Sequence, residues 1–414
     1  MKTCQLILIK TLVGMLTSAA GGTNVKKVGL VTPIRGVNYG MVLQSYALQY
    51  HLDKLGLNPI VIRIEEKKDL DYYVYKLEFF LRTVTKPPVL RSIFRKRLRN
   101  KKRNRNPILQ AAYTARRRKI DAFVRDRFSN ILVVSSRAEA REAVKDFDAV
   151  IVGSDQQWHP GAFFGYLSTL MFVPDDITKI SYATSLGVSS IPKCLEKRGK
   201  EFLSRIDFLS VREATGKRIV DSLIGEKAVV VLDPTLLITR NDWDSLVEKK
   251  KPLDEPYVFC YLLGDNVEYG SIIKQFCHDQ SYKMVTVRNI ETYTGKVRDV
   301  GDIILEAPSV EDFVNYIRFA DVVCTDSFHC TVFSIIYHKQ FVTFYRTKPT
   351  DKNSRNSRID DFLGEIGLRN HIYNDGNTVS EIVRSRVNYH AIDSKISKLR
   401  EMSNQFLANA LKLK

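Results

Sequence analysis

Residues 320–333 read Ala-Asp-Val-Val-Cys-Thr-Asp-Ser-Phe-His-Cys-Thr-Val-Phe. The apolar run Val322 to Cys324 has the length of a buried strand and stops at a polar turn. A helix is expected from about His329, because Val332, Phe333, Ile335 and Ile336 recur at helical spacing. In an open α/β sheet, ligands dock where a strand's carboxyl end meets a helix N-terminus, and free N–H groups there favour an anion. Thr325, Asp326, Ser327 and His329 stand at that junction. Helix capping would account for one of the first three, but it needs no histidine.

The same rhythm recurs outward from this stretch. Lys27 to Ile34 is a first strand, Met41 to Leu55 an amphipathic helix closed by Gly56, and Pro59 to Ile64 a second strand. Their connecting turn, Arg35 to Gly40, is not a GxGxxG dinucleotide fingerprint. Further strands are expected at Asp148–Val152, Ile180–Ala183, Phe208–Val211 and Val229–Leu232, each ending at polar or turn residues. Periodicity lapses between Asn241 and Glu255, and a second series opens with Tyr257–Leu263, Met284–Val287, Val322–Cys324 and Phe341–Phe344. A chain of 414 residues exceeds one ordinary core. The expected division is a first α/β domain over 27–245, a second over 246–375 and a helical tail over 376–414.

Net charge is +18, and much of it is concentrated in one place. Residues 91–119 hold thirteen Lys or Arg and no acid, inside a helical insertion expected over 67–119. Such a run suits an anionic membrane surface. Nucleic acid is not expected as a partner, since only Phe94 and Tyr113 interleave the cations for base stacking. Pro87-Pro88 is expected to hold the run off the sheet as an arm. The six cysteines form no CxxC pair or zinc spacing, which fits reduced thiols in the cytoplasm. Residues 1–26 read either as a leader or as a start placed too early, and no apolar run reaches the ~20 residues a spanning helix needs.

Six segments, in order, resemble one family. They are Asn38-Tyr39-Gly40 with Leu43-Gln44-Ser45-Tyr46-Ala47-Leu48, Gly153-Ser154-Asp155-Gln156-x-Trp158, Ser210-Val211-Arg212-Glu213, Asp233-Pro234-Thr235, Asp326-Ser327-Phe328-His329 and Asn356-Ser357-Arg358-Ile359. The family is the polysaccharide pyruvyl transferases. The resemblance implies two Rossmann-like domains facing across a cleft, similar to the GT-B glycosyltransferases. It implies transfer of the enolpyruvyl unit of phosphoenolpyruvate to a sugar hydroxyl pair, giving a pyruvate ketal in bacterial surface polysaccharide synthesis. The acceptor would be a lipid-linked or nucleotide-linked glycan, and the enzyme would work in the cytoplasm or on the inner membrane face. No metal or cofactor is implied beyond phosphoenolpyruvate as co-substrate. Two positions depart from the family pattern, Cys330 in place of Gly and His159 in place of Asn.

Ketal formation needs a proton delivered to the donor's methylene carbon, and His329 is the natural acid. Arg212 and Arg358 suit the donor's phosphate and carboxylate, with Ser327 and Thr325 beside them. Asp155 either takes the acceptor's proton or holds its loop; Asp326 has the same two readings, or orients His329. Asn38, Tyr39, Gln44 and Trp158 either touch the acceptor sugar or pack. The competing reading keeps the fold but takes a nucleotide sugar as donor, with Glu306 as the one weak candidate for a ribose-binding carboxylate.

Overall fold

The computed structural model describes residues 25–65, 70–264, 266–290, 300–347, 356–374 and 376–413. The expected leader at 1–26 lies outside them except for its last two residues. Seven strands form the first sheet: β1 (Lys27–Val31), β2 (Asn58–Ile64), β3 (Ile131–Val134), β4 (Ala149–Val152), β5 (Thr178–Thr184), β6 (Phe208–Val211) and β7 (Val229–Val230). All pair in parallel, in the order β3-β2-β1-β4-β5-β6-β7. The second sheet has β8 (Tyr257–Tyr261), β9 (Lys283–Val287), β10 (Ile303–Leu305), β11 (Val322–Thr325) and β12 (Gln340–Thr343), also parallel, in the order β10-β9-β8-β11-β12. Strand order therefore reverses between β1 and β4 in one sheet and between β8 and β11 in the other. Those reversals open the crevices where such sheets bind ligands. Register brings the strand ends level there, with Val31 opposite Val152 and Thr325 opposite Tyr261.

The central strands are apolar on both faces, as burial under helices on each side demands: Ala149 to Val152 and Val322 to Thr325 are wholly buried. Helix α1 (Tyr39–Lys54) is capped by Asn38, whose side-chain Oδ1 accepts the Met41 N–H (3.0 Å). It is buried almost all round, polar Gln44, Ser45 and Gln49 included.

The region between β2 and β3 is helical, as expected, but it is not an arm. Helices α2 (Leu70–Thr83), α3 (Pro87–Asn104) and α4 (Pro107–Arg127) pack on the body. Pro87 is the first residue of α3, where a missing N–H costs nothing, and Val89, two residues on, is fully buried. Helix α4 carries Phe123 against the Tyr46 ring (5.5 Å) and leads into β3 as a true crossover. Arg116, one of the thirteen basic residues, is buried and donates to the Arg288 carbonyl of the second domain (2.7 Å).

Later helices join the domains. These are α5 (Ala214–Ile224), α6 (Val310–Phe319), α7 (Phe328–Ile336), α8 (Ser357–Ile366) and α9 (Tyr389–Ala410). The C-terminal helix α9 crosses back to the first domain. Its Ser403 hydroxyl oxygen accepts the Leu232 N–H (2.9 Å), and Arg400 donates to the Leu236 carbonyl (2.7 Å). One apolar cluster consequently runs through both sheets. At its centre Tyr39 stacks on Phe313 (4.5 Å) and Trp243 meets Phe333 edge-on (4.9 Å). No helix among the described residues is long and apolar enough to cross a membrane.

Candidate active site

Both strand-order reversals face one polar cluster. From the first sheet come Ser154 and Asp155 after β4, Arg212 after β6 and Asp233 after β7. From the second come Asp326 to His329 after β11, with Phe328 and His329 opening α7. Arg358 arrives from the first turn of α8. Arg212 is the hub. Its Nη1 donates to Asp233 Oδ2 (2.7 Å) and reaches Ser154 Oγ and His329 Nε2 at 3.4 Å each. Its guanidinium carbon lies over the Phe328 ring, 4.3 Å from the centroid. Asp233 is held in turn by donation from the Ser154 hydroxyl (3.0 Å) and from the Thr235 N–H and hydroxyl (3.0 and 2.7 Å). His329 Nε2 lies 3.5 Å from Asp233 Oδ2, across the domain boundary. The approach is close enough to demand a glycine: a Cβ on Gly40 would sit 2.3 Å from His329 Nδ1.

Burial opposes the Asp233 charge most strongly. The charge and hydrogen bond of His329, the Arg212 guanidinium and Thr235 outweigh it and hold the carboxyl well below the usual carboxylate range. Burial likewise works against Arg212, but Asp233, Glu213 and Asp155 raise it. Arg358 is pushed down to about 9, first by burial and then by the like charges of Arg212 and Arg346. Three guanidinium groups therefore feel one another in the cleft. Arg212 keeps two buried donors, Nε and Nη2, with no hydrogen-bond partner; the carboxylates of Glu213 and Asp155 stand off at 3.8 Å. Unsatisfied guanidinium donors beside a helix N-terminus suit a phosphate or carboxylate.

A model of the family described as polysaccharide pyruvyl transferase matches residues 38–348, three quarters of the chain. The chain belongs to that family. Curated proteins gave no match. Among solved structures the chain is similar to MnaA from S. aureus in complex with UDP, at 12% identity and a TM-score of 0.51, covering 94% of this chain and 98% of that one. It is also similar to UDP-GlcNAc 2-epimerase from Neisseria meningitidis bound to UDP-GlcNAc (12%, 94% and 98%, TM-score 0.47) and to MurG from Acinetobacter baumannii (9%, 94% and 100%, TM-score 0.42). Such distant likeness concerns the fold alone, and that fold is the GT-B type, two Rossmann-like domains.

Within this family member the expected residues divide. His329, Arg212, Arg358 and Asp155 meet in the cleft. Asp155 is the least covered of them, at 24% side-chain exposure, and holds φ +72°, a left-handed conformation that costs an L-residue energy. The Arg358 guanidinium donates to the Gln156 amide oxygen (3.0 and 3.1 Å) with that amide turned toward it. Ser327 is the N-cap residue of α7 but makes no side-chain cap bond.

At five expected positions the structure shows the side chain engaged in the fold, the structural alternative to a ligand contact. Asp326 does not orient His329; its oxygens accept the Leu263 and Gly264 N–H groups (2.8 and 2.6 Å), tying β11 to the turn after β8. Thr325 donates to the Tyr261 carbonyl (2.6 Å) and accepts the Ser327 N–H (3.0 Å), so its hydroxyl is engaged in the strand end. Tyr39 is fully buried and donates to the Pro308 carbonyl (2.7 Å), as an anchor between domains rather than a sugar contact. Gln44 is buried within α1, donating to the Met41 carbonyl (2.8 Å). Trp158 donates to the Ser168 carbonyl (2.9 Å) inside the first core, where no sugar face reaches it. Asn38 caps α1, as described above. Glu306, the ribose candidate, pairs both oxygens with Arg288.

Asp233, Ser154, Glu213 and Arg346 join the site without having been assigned a role from sequence. The first three lie inside motifs already quoted. Arg346 had no signal except its place just beyond β12, where its Nη2 donates to the Asp326 carbonyl (3.0 Å).

Proposed function

We propose that this family member transfers the enolpyruvyl unit of phosphoenolpyruvate to a hydroxyl pair of a glycan acceptor, forming a pyruvate ketal and releasing phosphate. The observation that carries the reading is the contact of His329 Nε2 with both the buried Asp233 carboxylate (3.5 Å) and Arg212 Nη1 (3.4 Å). It joins an acid, its counter-charge and an anion-binding fork.

His329, beside the Asp233 carboxylate, gives its Nε2 proton to the donor's methylene carbon, which becomes the methyl group. The positive charge that develops at the adjacent carbon draws in the first sugar hydroxyl. Phosphate leaves against Arg212, Arg358 and Arg346, and the second hydroxyl closes the ketal. Two hydroxyl protons are released: one restores His329, and the other leaves with phosphate. Asp155, the least covered of these groups, takes the hydroxyl proton in transit. The acceptor is a lipid-linked or nucleotide-linked glycan of surface polysaccharide synthesis. The buried, unpaired thiols of Cys260, Cys277, Cys324 and Cys330 support a reducing, cytoplasmic setting.

Incubation of the protein with phosphoenolpyruvate and candidate lipid-linked or nucleotide-linked glycans, followed by phosphate release and product mass, tests the reading. Acceptor-dependent phosphate release with a ketal in the product is the expected result. Transfer from a nucleotide sugar, with phosphoenolpyruvate left intact, would overturn it.

A further inference from the structure

Helices α2 and α3 pack on the body through one side only. On α2 the inward side holds Phe79, edge-on to Phe164 (6.5 Å), Glu78, paired with Arg137 (3.2 Å), and buried Thr83. On α3 it holds Val89 and Ile93. Amphipathic surface helices normally turn polar residues to the other side. Here each helix has a second apolar stripe facing solvent. On α2, Tyr73, Leu77, Phe80 and Leu81 follow i, i+4, i+7, i+8 spacing, and Leu77 is 59% exposed. On α3, Leu90, Phe94 and Leu98 follow i, i+4, i+8 spacing, and Phe94 is 67% exposed. Single exposed leucines are ordinary, but seven apolar residues in register on two neighbouring helices mark an interaction surface.

Cations flank the stripes. Lys76 and Arg82 are exposed on α2, and Arg91, Arg97 and Lys101 on α3. Arg105 and Arg118 line an open groove of about 670 Å³ between the end of α3 and α4. We infer that the outward face of α2 and α3 docks on an anionic lipid bilayer, its apolar stripes entering the head-group and acyl boundary and its cations meeting lipid phosphates. Apolar residues backed by Lys and Arg are the composition of helices that lie in a membrane interface. A second copy of the chain fits less well. A two-fold contact through this face would bring the same cations against one another without counter-charge. The inference stands apart from the proposed reaction, because vesicle binding is read without turnover.

Sedimentation of the full chain with vesicles, of phosphatidylcholine alone or of an equal mixture with phosphatidylglycerol, tests it at low and high salt. Binding to the mixed vesicles and not to the neutral ones, weakening with salt, is expected. Each basic residue near an anionic surface is worth roughly fivefold in partition, so R91Q/R97Q/K101Q should lower binding about a hundredfold. L77S/F80S/F94S keeps every charge and should also release the protein. All six positions are on the surface, so both variants should keep the wild-type melting temperature. Equal binding to neutral and mixed vesicles would overturn the inference. Wild-type binding by the apolar variant, which would leave only diffuse attraction of a basic protein, would also overturn it. A concentration-dependent dimer without vesicles, abolished by the apolar variant, would assign the face to self-association instead.

Discussion

Asp233 is buried among donors from three directions: Arg212, Ser154 and Thr235, with His329 facing it from the other domain. Removing one partner of a buried charge pair leaves the other uncompensated and costs about 3–5 kcal/mol. Asp233→Asn should therefore destabilise the fold by roughly that amount at neutral pH, because it leaves the buried Arg212 guanidinium without its closest counter-charge. The pH sign follows from the depressed carboxyl. Its contribution is complete above the unfolded value of about 3.9 and is lost as pH falls below it. Denaturant unfolding of wild type and Asp233→Asn should differ by a constant amount above about pH 5 and converge in stronger acid. Arg212→Lys keeps the charge and loses the fork. Charged hydrogen bonds contribute about 1.5–3 kcal/mol, so the phosphoenolpyruvate KM should rise roughly tenfold or more, with the acceptor KM little changed. Sequence placed His329, Arg212 and Asp155 at strand ends. It could not rank Asp233 above Asp326, because both acids follow an apolar run in a polar turn. Sheet register decides between them: Thr325 pairs with Tyr261, so Asp326 meets the turn after β8, while Asp233 faces the other domain.

At the scale of elements, α1 and α9 meet at His51. His51, on α1, is covered by α9; burial, partly offset by a hydrogen bond with Asn404, pushes its imidazole down to about 4, with Lys54, Asp242 and Arg400 nearby. The neutral form is thus favoured in the fold, and the unfolded chain binds the proton first. Stability should be flat above about pH 6.5 and fall as pH drops from there to about 4, by about 3 kcal/mol at roughly 1.4 kcal/mol per pH unit. His51→Gln should remove that part of the acid sensitivity in denaturant unfolding at neutral and acid pH. Most central strands were legible to within a few residues, since double burial leaves continuous apolar runs. The strands absent from the sequence reading, β3 and β10, are sheet-edge strands and half exposed, so their apolar signal is diluted. The tail's apolar stripe, with Ile392, Ile396 and Phe406, was also visible, but nothing local says that it crosses back to β7. For 67–119 the composition outweighed the pattern. Basic residues suggested an insertion, although Ile120, Phe123 and Val124 make α4 a core helix.

As a whole, the molecule brings two parallel sheets together so that neither side of the cleft is complete alone. Arg212 and Asp233 come from one domain; His329, Arg358 and Arg346 come from the other. The Thr215 N–H donates to Asp361 across the same boundary (2.8 Å). His329, Arg212 and Arg358 are 5–6% exposed, so side chains from both domains cover them. The central claim is that a proton passes from His329 to the donor's methylene carbon as the ketal forms. Turnover in deuterated water, with mass and proton spectra of the ketal methyl group, reads that step directly. Wild type should give a methyl group carrying one solvent deuterium, and His329→Gln should lower the rate by a factor of about 10²–10⁴ without loss of phosphoenolpyruvate binding. A product without deuterium in its methyl group, or a His329→Gln variant that forms the ketal at near wild-type rate, would contradict the account.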